Sequence, residues 1–310
     1  MHKKRSEPLV SVIIPAYNHE KFIEAAVESV LNQTMDDLEL VVIDDGSTDN
    51  TGHIVRGYSD SRLSYYYQEN QDAYNTINRG LGLAKGTFIA ILNSDDVYTE
   101  NRLERLVEYA KENQSQVVFT DVIPISDEGV EFADPAFGWN IWHKKNRKFY
   151  FKCGDIYTAF LKGNFMVTTS NLFMTVEAVK KTGNFCSLRY LHDYDYIFRL
   201  MLSCPGKVHY LADEKLLYYR IHSGNTLGEA AVIGREQDQE LISRYMLEKV
   251  PDDLKKIVRS GSERLVELEK ELCDVRTLLT DTEHPGVQSA TGQLLKSIAR
   301  CVRKRVFHHS

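Results

Sequence analysis

Several features that announce common protein classes are missing from this 310-residue chain. Cysteine is scarce. The five present (Cys153, Cys186, Cys204, Cys273 and Cys301) are odd in number, scattered and never spaced as CxxC, which argues against a disulfide framework or a zinc site. No run of about 18 apolar residues occurs, so no segment is suited to span a bilayer. The opening MHKKRSEP is basic but lacks the apolar stretch of a secretory signal. Basic residues do not outnumber acids: the net charge is −6, and the electrostatic footprint of a general nucleic-acid binder is absent. No GxGxxG or Walker sequence supplies a glycine loop for phosphate. These absences lead us to expect a chain on the cytoplasmic side of the membrane, with no nucleic-acid partner.

What is present is alternation. From Leu9, short β-rich runs (LVSVIIP, LELVVIDD, RLSYYYQ, TFIAILN, QVVFTDV) are separated by amphipathic segments (EKFIEAAVESVLNQT, TDNTGHIVRGY, AYNTINRGLGLAKG, NRLERLVEYAKEN). Nearly all-apolar strands are the kind buried on both faces, so the first 120 residues or so predict a doubly wound, mostly parallel α/β sheet. Residues 124–152 carry both tryptophans and the basic cluster HKKNRK with little period, and read as an insertion or lid. Its aromatics suit either core packing or stacking on a ligand. Farther on, NLFMT reads as a strand, LRYLHDYDYIFRLMLS as a helix with a polar start, and KVHYLADEKLLYYRIH as two short strands.

In open α/β sheets ligands bind beyond the carboxyl ends of the strands. Three such ends carry polar or acidic turns here: Pro15-Ala16-Tyr17-Asn18, Asp44-Asp45-Gly46-Ser47 and Asn93-Ser94-Asp95-Asp96. One acidic pair is readily explained as a solvated turn or helix cap. Acids at neighbouring strand ends, without a glycine loop, point instead to a divalent cation such as Mn²⁺ or Mg²⁺ holding phosphate oxygens.

Three ordered motifs, VSVIIPAYN, VVIDDGSTDNT and NRGLGLAKGTFIAILNSDD, resemble those of the family 2 nucleotide-sugar glycosyltransferases over roughly Val10 to Thr226. The resemblance implies a GT-A fold over residues 1–228, followed by a helical extension over 229–310. It also implies inverting, metal-dependent transfer of a sugar from a nucleotide-diphosphate donor, a UDP-sugar first, to an acceptor hydroxyl. Pro15, Ala16, Tyr17, Asn18, Asp44 and Asp45 would line the nucleotide, with one of the two aspartates accepting from the base. Asn78 is a further donor contact. Asp95 and Asp96 match the DxD-type element and would bind ribose and metal between them, while Asn93 stands where the family commonly has a leading Asp. In HDYDYIFRL, Asp193 corresponds to the general base, and His192 replaces the acid that usually precedes it. His192 either pairs with Asp193 or is structural, and Asp195 serves the helix. In YRIHSGNT, Arg220 and His222 match the closing YRxH element, Arg220 toward the diphosphate and His222 toward the metal.

Residues 265–279 repeat leucine and valine at spacings of three and four, a seam for self-association or for packing on the chain's own domain. The final GQLLKSIARCVRKRVF is a basic amphipathic helix suited to an anionic membrane surface or to docking on the domain. An acceptor presented at a membrane, such as a lipid-linked glycan of a surface polysaccharide, follows as an expectation. Two other classes compete. A nucleotidyltransferase needs a glycine-rich basic loop that VSVIIPAYN lacks, and a non-catalytic sugar-nucleotide binder would not need Asp193.

Overall fold

The computed structural model describes residues 7–188 and 191–222. The seam and basic tail expected beyond residue 228, and the boundary placed there, lie outside the described residues. Strand β1 (Val10–Ala16) is followed by α1 (Ile23–Leu31), β2 (Leu38–Asp44), α2 (Thr51–Arg56), β3 (Leu63–Tyr67), α3 (Ala73–Leu83) and β4 (Phe88–Ile91). Then come the short β5 (Val97–Tyr98), α4 (Arg102–Glu112), β6 (Val117–Ile125), α5 (Gly138–Cys153) and α6 (Ile156–Lys162). The last elements are β7 (Phe173–Thr175), α7 (Val176–Thr182), α8 (His192–Ser203) and β8 (Val208–Arg220).

These strands form one sheet in the order β3-β2-β1-β4-β7-β6-β8-β5. β3, β2, β1 and β4 run parallel, as the alternation of strands and helices predicts, and β6 pairs in parallel with β8. β7 enters antiparallel between β4 and β6, and β5 is antiparallel to β8. Side chains alternate across the sheet. Val10, Val12 and Ile14 join the apolar cluster packed on α1 and α4, while Ile13 faces the other, with Ile77 of α3, Phe160 of α6 and Tyr196 of α8. Helix α3 lies so close to β1 that a Cβ on Gly80 would come within 2.3 Å of Ile13 Cγ2. The order reverses at β1, which sends the chain outward to β2 and β3 and then back to β4 on its other side. That switch point opens a crevice at the carboxyl ends of β1 and β4.

Two expectations need correction. Residues 138–153 of the supposed aperiodic insertion form the 16-residue helix α5. Its pattern misleads because its inward face mixes polar and aromatic residues: His143 and Asn146 are buried beside Trp139 and Tyr150, and Arg147 Nε reaches Asp121 Oδ2 of β6 at 3.1 Å. The two short strands expected near the end are a single 13-residue strand, β8. Its pairing with β6 shifts register around Asp121, and Asp213 adopts φ +68°, so the alternation breaks without the strand ending.

Candidate active site

At the carboxyl edge of the sheet, Ala16, Asp44 and Tyr67 stand side by side in register. Tyr17 and Tyr67 are exposed there, and nothing in the sequence pattern had singled out Tyr67. Both aspartates of the pair are buried, and their hydrogen bonds distinguish them. Asp44 uses both oxygens, Oδ1 accepting from Ser47 N (2.8 Å) and Oδ2 from Tyr65 OH (2.7 Å). Asp45 Oδ1 accepts from Gln68 Nε2 (2.6 Å) and Gln71 N (2.9 Å), while Oδ2 has no hydrogen bond among the described residues.

Two sequence-predicted donor contacts have partners within the protein. Asn18, at φ +51°, accepts from Thr48 N (2.8 Å) and ties the loop after β1 to the loop after β2. Asn78 uses both ends of its amide on Phe185, donating to the carbonyl (2.9 Å) and accepting from the N–H (2.7 Å). Asn78 thus uses its whole amide group on backbone, whereas Asn18 uses its oxygen.

The adjacent carboxylates Asp95 and Asp96 face different surroundings. Asp95 Oδ2 lies 3.1 Å from His222 Nε2, and ligating atoms of His19, Asp95 and His222 lie within 4.8 Å of one another. His19 comes from the loop after β1, and its Nδ1 is fixed at 2.7 Å by Ser94 Oγ. Phe22 packs against both imidazoles, with ring centroids 5.8 Å from His19 and 5.1 Å from His222. Burial lowers the His19 pKa and so favours the neutral imidazole that a metal requires. Burial pushes the Asp95 carboxyl up, but the hydrogen bond from His222 and the two neighbouring imidazoles outweigh it and hold Asp95 below the usual value.

Asp96 is buried and held by protein donors. Its Oδ2 accepts from Ser170 Oγ (2.5 Å) and Thr168 Oγ1 (3.3 Å), and its Oδ1 from the backbone N–H of Arg220 (3.0 Å). Burial, then the Asp95 charge, raises it well above the usual range. Arg220 is held beside it. Its Nε donates to Asp95 O (2.8 Å) and its Nη1 to Ser126 O and Asp127 O, while the guanidinium lies over Phe22. It clamps the acidic turn to the loop after β6 and is buried there.

Asp193 sits in the first turn of α8, 8% exposed, where the helix N-terminus favours negative charge. Oδ2 accepts from Asn164 Nδ2 (2.8 Å) and Oδ1 from Tyr194 N (2.8 Å), yet burial still raises its pKa. His192 makes no hydrogen bond to it in the structure. Its Nδ1 lies 3.2 Å from Leu188 O and its Nε2 3.3 Å from Thr169 Oγ1, the contacts of a structural residue. Asp195 pairs with Arg199 (2.7 Å) and serves the helix as expected.

Residues 164–171 connect the two acidic centres. Asn164 holds Asp193, while Thr168 and Ser170 hold Asp96 and also accept from Asn93 Nδ2 (2.9 Å) and Asn93 N (2.8 Å). Between them the β-branched Val167 is held at φ +81°, a conformation that costs about 1–3 kcal/mol and persists where its surroundings impose it. The sequence reading passed over this segment and His19. A polar TTSN run beside a strand, and a histidine three residues beyond a strand end, were the signals available.

A metal fits these residues. Two imidazoles and a carboxylate converge, a donor set that suits Mn²⁺ better than Mg²⁺, which prefers oxygen alone.

Residues 11–175 match the model of Glycosyl transferase family 2. TuaG of Bacillus subtilis, a putative teichuronic acid biosynthesis glycosyltransferase, is 37% identical over 126 residues, 40% of this chain and 50% of that one. Among solved structures, S. aureus TarS 1-349 in complex with UDP-GlcNAc superposes with a TM-score of 0.60 at 20% identity, covering 82% of this chain and 71% of TarS. The mannosyltransferase PcManGT from Pyrobaculum calidifontis, in complex with GDP-Man and Mn²⁺, gives 0.59 at 18% identity, covering 94% and 81%. These two likenesses establish the GT-A fold. Among the described residues no helix is long and apolar enough to cross a membrane.

Proposed function

The chain belongs to glycosyl transferase family 2, and from that premise we propose that it moves a sugar from a nucleotide-diphosphate donor, UDP-linked in the first instance, to a hydroxyl of a lipid-linked glycan with inversion. The observation that carries this reading is the pairing of a metal-type donor set (His19, Asp95, His222) with a separate buried carboxylate, Asp193, joined to it through residues 164–171. Surface-polysaccharide synthesis is the setting suggested by TuaG.

Asp45 is the aspartate proposed to meet the base or ribose, because its Oδ2 is not committed to the protein as both oxygens of Asp44 are. Tyr17 and Tyr67 offer exposed rings on either side of that edge. A bound divalent cation would neutralise charge on the departing diphosphate. Asp193 takes the acceptor hydroxyl proton as that oxygen bonds to the anomeric carbon, and the sugar–phosphate bond breaks with its electron pair going to the nucleoside diphosphate. Direct attack by the acceptor oxygen is a single displacement, hence inversion.

Titrating the full chain with Mn²⁺ by calorimetry and electron paramagnetic resonance, with and without UDP-sugars, tests the metal assignment. Asp95→Ala should abolish binding, His19→Ala should weaken it about 10- to 100-fold, and Asp96→Asn should retain it. Mn²⁺ affinity indifferent to both His19→Ala and Asp95→Ala would sink the assignment.

A further inference from the structure

Helix α5 has a use that sugar transfer alone does not explain. Its sequence, GWNIWHKKNRKFYFKC, holds five Lys and Arg residues and no acid, in a chain of net charge −6. Arg147 is engaged with Asp121 and Asp213 beneath the helix. Lys144, Lys145, Lys148 and Lys152 are exposed, as are Ile141 (40%), Trp142 (39%) and Phe151 (57%). At 100° per residue these seven share one half of the helix, a lysine stripe with Phe151 along one border and Trp142 along the other. A solvated helix face would leave such aromatics inside, and a protein-docking face is usually depleted in lysine. Cations flanked by exposed aromatic and aliphatic side chains match an interfacial helix on an anionic bilayer.

We infer that α5 docks on anionic lipid headgroups and so presents the active site to a membrane-held acceptor. Its placement favours this. At one end Trp139 stacks on Tyr219 (6.2 Å), next to Arg220 and the acidic turn. Midway along the helix, Lys162 of α6 reaches Lys145 O (3.4 Å), and α6 leads directly into Gly163 and Asn164, which holds Asp193. A bilayer against the exposed half of α5 lies beside the base. The inference rests on the lipid-linked acceptor for its purpose, but vesicle binding is measured without donor or acceptor and fails independently of sugar transfer.

Both tryptophans of the chain, Trp139 and Trp142, lie on α5, so intrinsic fluorescence reports on this helix whatever the rest of the chain does. The full chain is mixed with vesicles of phosphatidylcholine, or of phosphatidylcholine with phosphatidylglycerol, both carrying brominated acyl chains. A blue shift and quenching are expected with the anionic vesicles only, and should be lost in Trp142→Phe. Each lysine at an anionic surface gives roughly a fivefold gain in partitioning, so K144E/K145E/K148E should lose at least about 100-fold. Raising salt on the unaltered chain should weaken binding in the same direction, without relying on a variant. Sedimentation with vesicles but no change in tryptophan emission would place the contact elsewhere and overturn the inference. So would a response to a soluble polyanion but not to anionic vesicles, or binding indifferent to charge reversal.

Discussion

Replacing Asn164 by leucine should separate the proton-accepting role of Asp193 from the rest of the site. The Asn164 amide donates to Asp193 Oδ2 at 2.8 Å and favours the charged carboxylate, against burial that favours the neutral acid. Leucine removes the donor while keeping apolar volume in its place, so water does not enter to offset the loss. A hydrogen bond to a charged group is worth about 1.5–3 kcal/mol. Its removal should therefore lower the rate about 10- to 100-fold at a fixed pH on the acid limb. A base works only when deprotonated, so that limb moves to higher pH, and the plateau above it stays near wild type because Asp193 keeps its bond from Tyr194 N. The assay is nucleoside-diphosphate release from the donor that binds, with water as acceptor, followed from acid to mildly alkaline pH. A limb that stays put or moves to lower pH would refute the reasoning.

Asp193→Asn should lower turnover about 10²- to 10⁴-fold with no acid limb, in the same release assay. Because burial raises the Asp193 pKa, the folded state binds its proton more tightly than the unfolded chain, and that contribution to stability fades as pH rises through the folded value. Denaturant titrations should therefore show the stability of Asp193→Asn, relative to wild type, improving with pH. Asn171, fully buried, donates to Thr120 O (2.8 Å) and Met166 O (3.0 Å) and accepts from Thr120 N (3.1 Å). Asn171→Ala leaves those groups unpaired and should cost about 3–5 kcal/mol by chemical denaturation. Gly80→Ala would drive a methyl to within 2.3 Å of Ile13 and should cost about 1–3 kcal/mol, seen as a lower melting temperature.

The sheet was legible because strands buried on both faces must be apolar throughout, as VSVIIPA and FIAI are. The strand-end acids were legible for the complementary reason, that carboxylates beside such runs demand an explanation. Orientation was not legible. Asp95 and Asp96 are neighbours in sequence, yet the first faces two imidazoles and the second two hydroxyls, a difference set by residues 168, 170, 19 and 222 from other parts of the chain. Arg220 and Asn78 follow the same rule: a motif gives their identity, but the carbonyls of Ser126, Asp127 and Phe185 decide what they do. Helix α5 escaped detection because aromatics lie on both of its faces, Trp139 and Tyr150 inside beside the buried His143 and Asn146, and Trp142 and Phe151 outside, which blurs the apolar period that reveals a helix.

The stretch from Asn164 to Asn171 sets limits on recombination between relatives. It grips Asp193 at one end, Asp96 and Asn93 in the middle and Thr120 of β6 at the other. A chimera joined inside it would separate the supports of one acidic group from those of the other, whatever the quality of each parent. Joints placed before α5 and after α6 leave those supports intact, provided the incoming helix keeps a cation for Asp121. Residues 138–162 could then be exchanged as one block, with Trp139, Tyr150, Ala159 and Phe160 kept for the core they pack on.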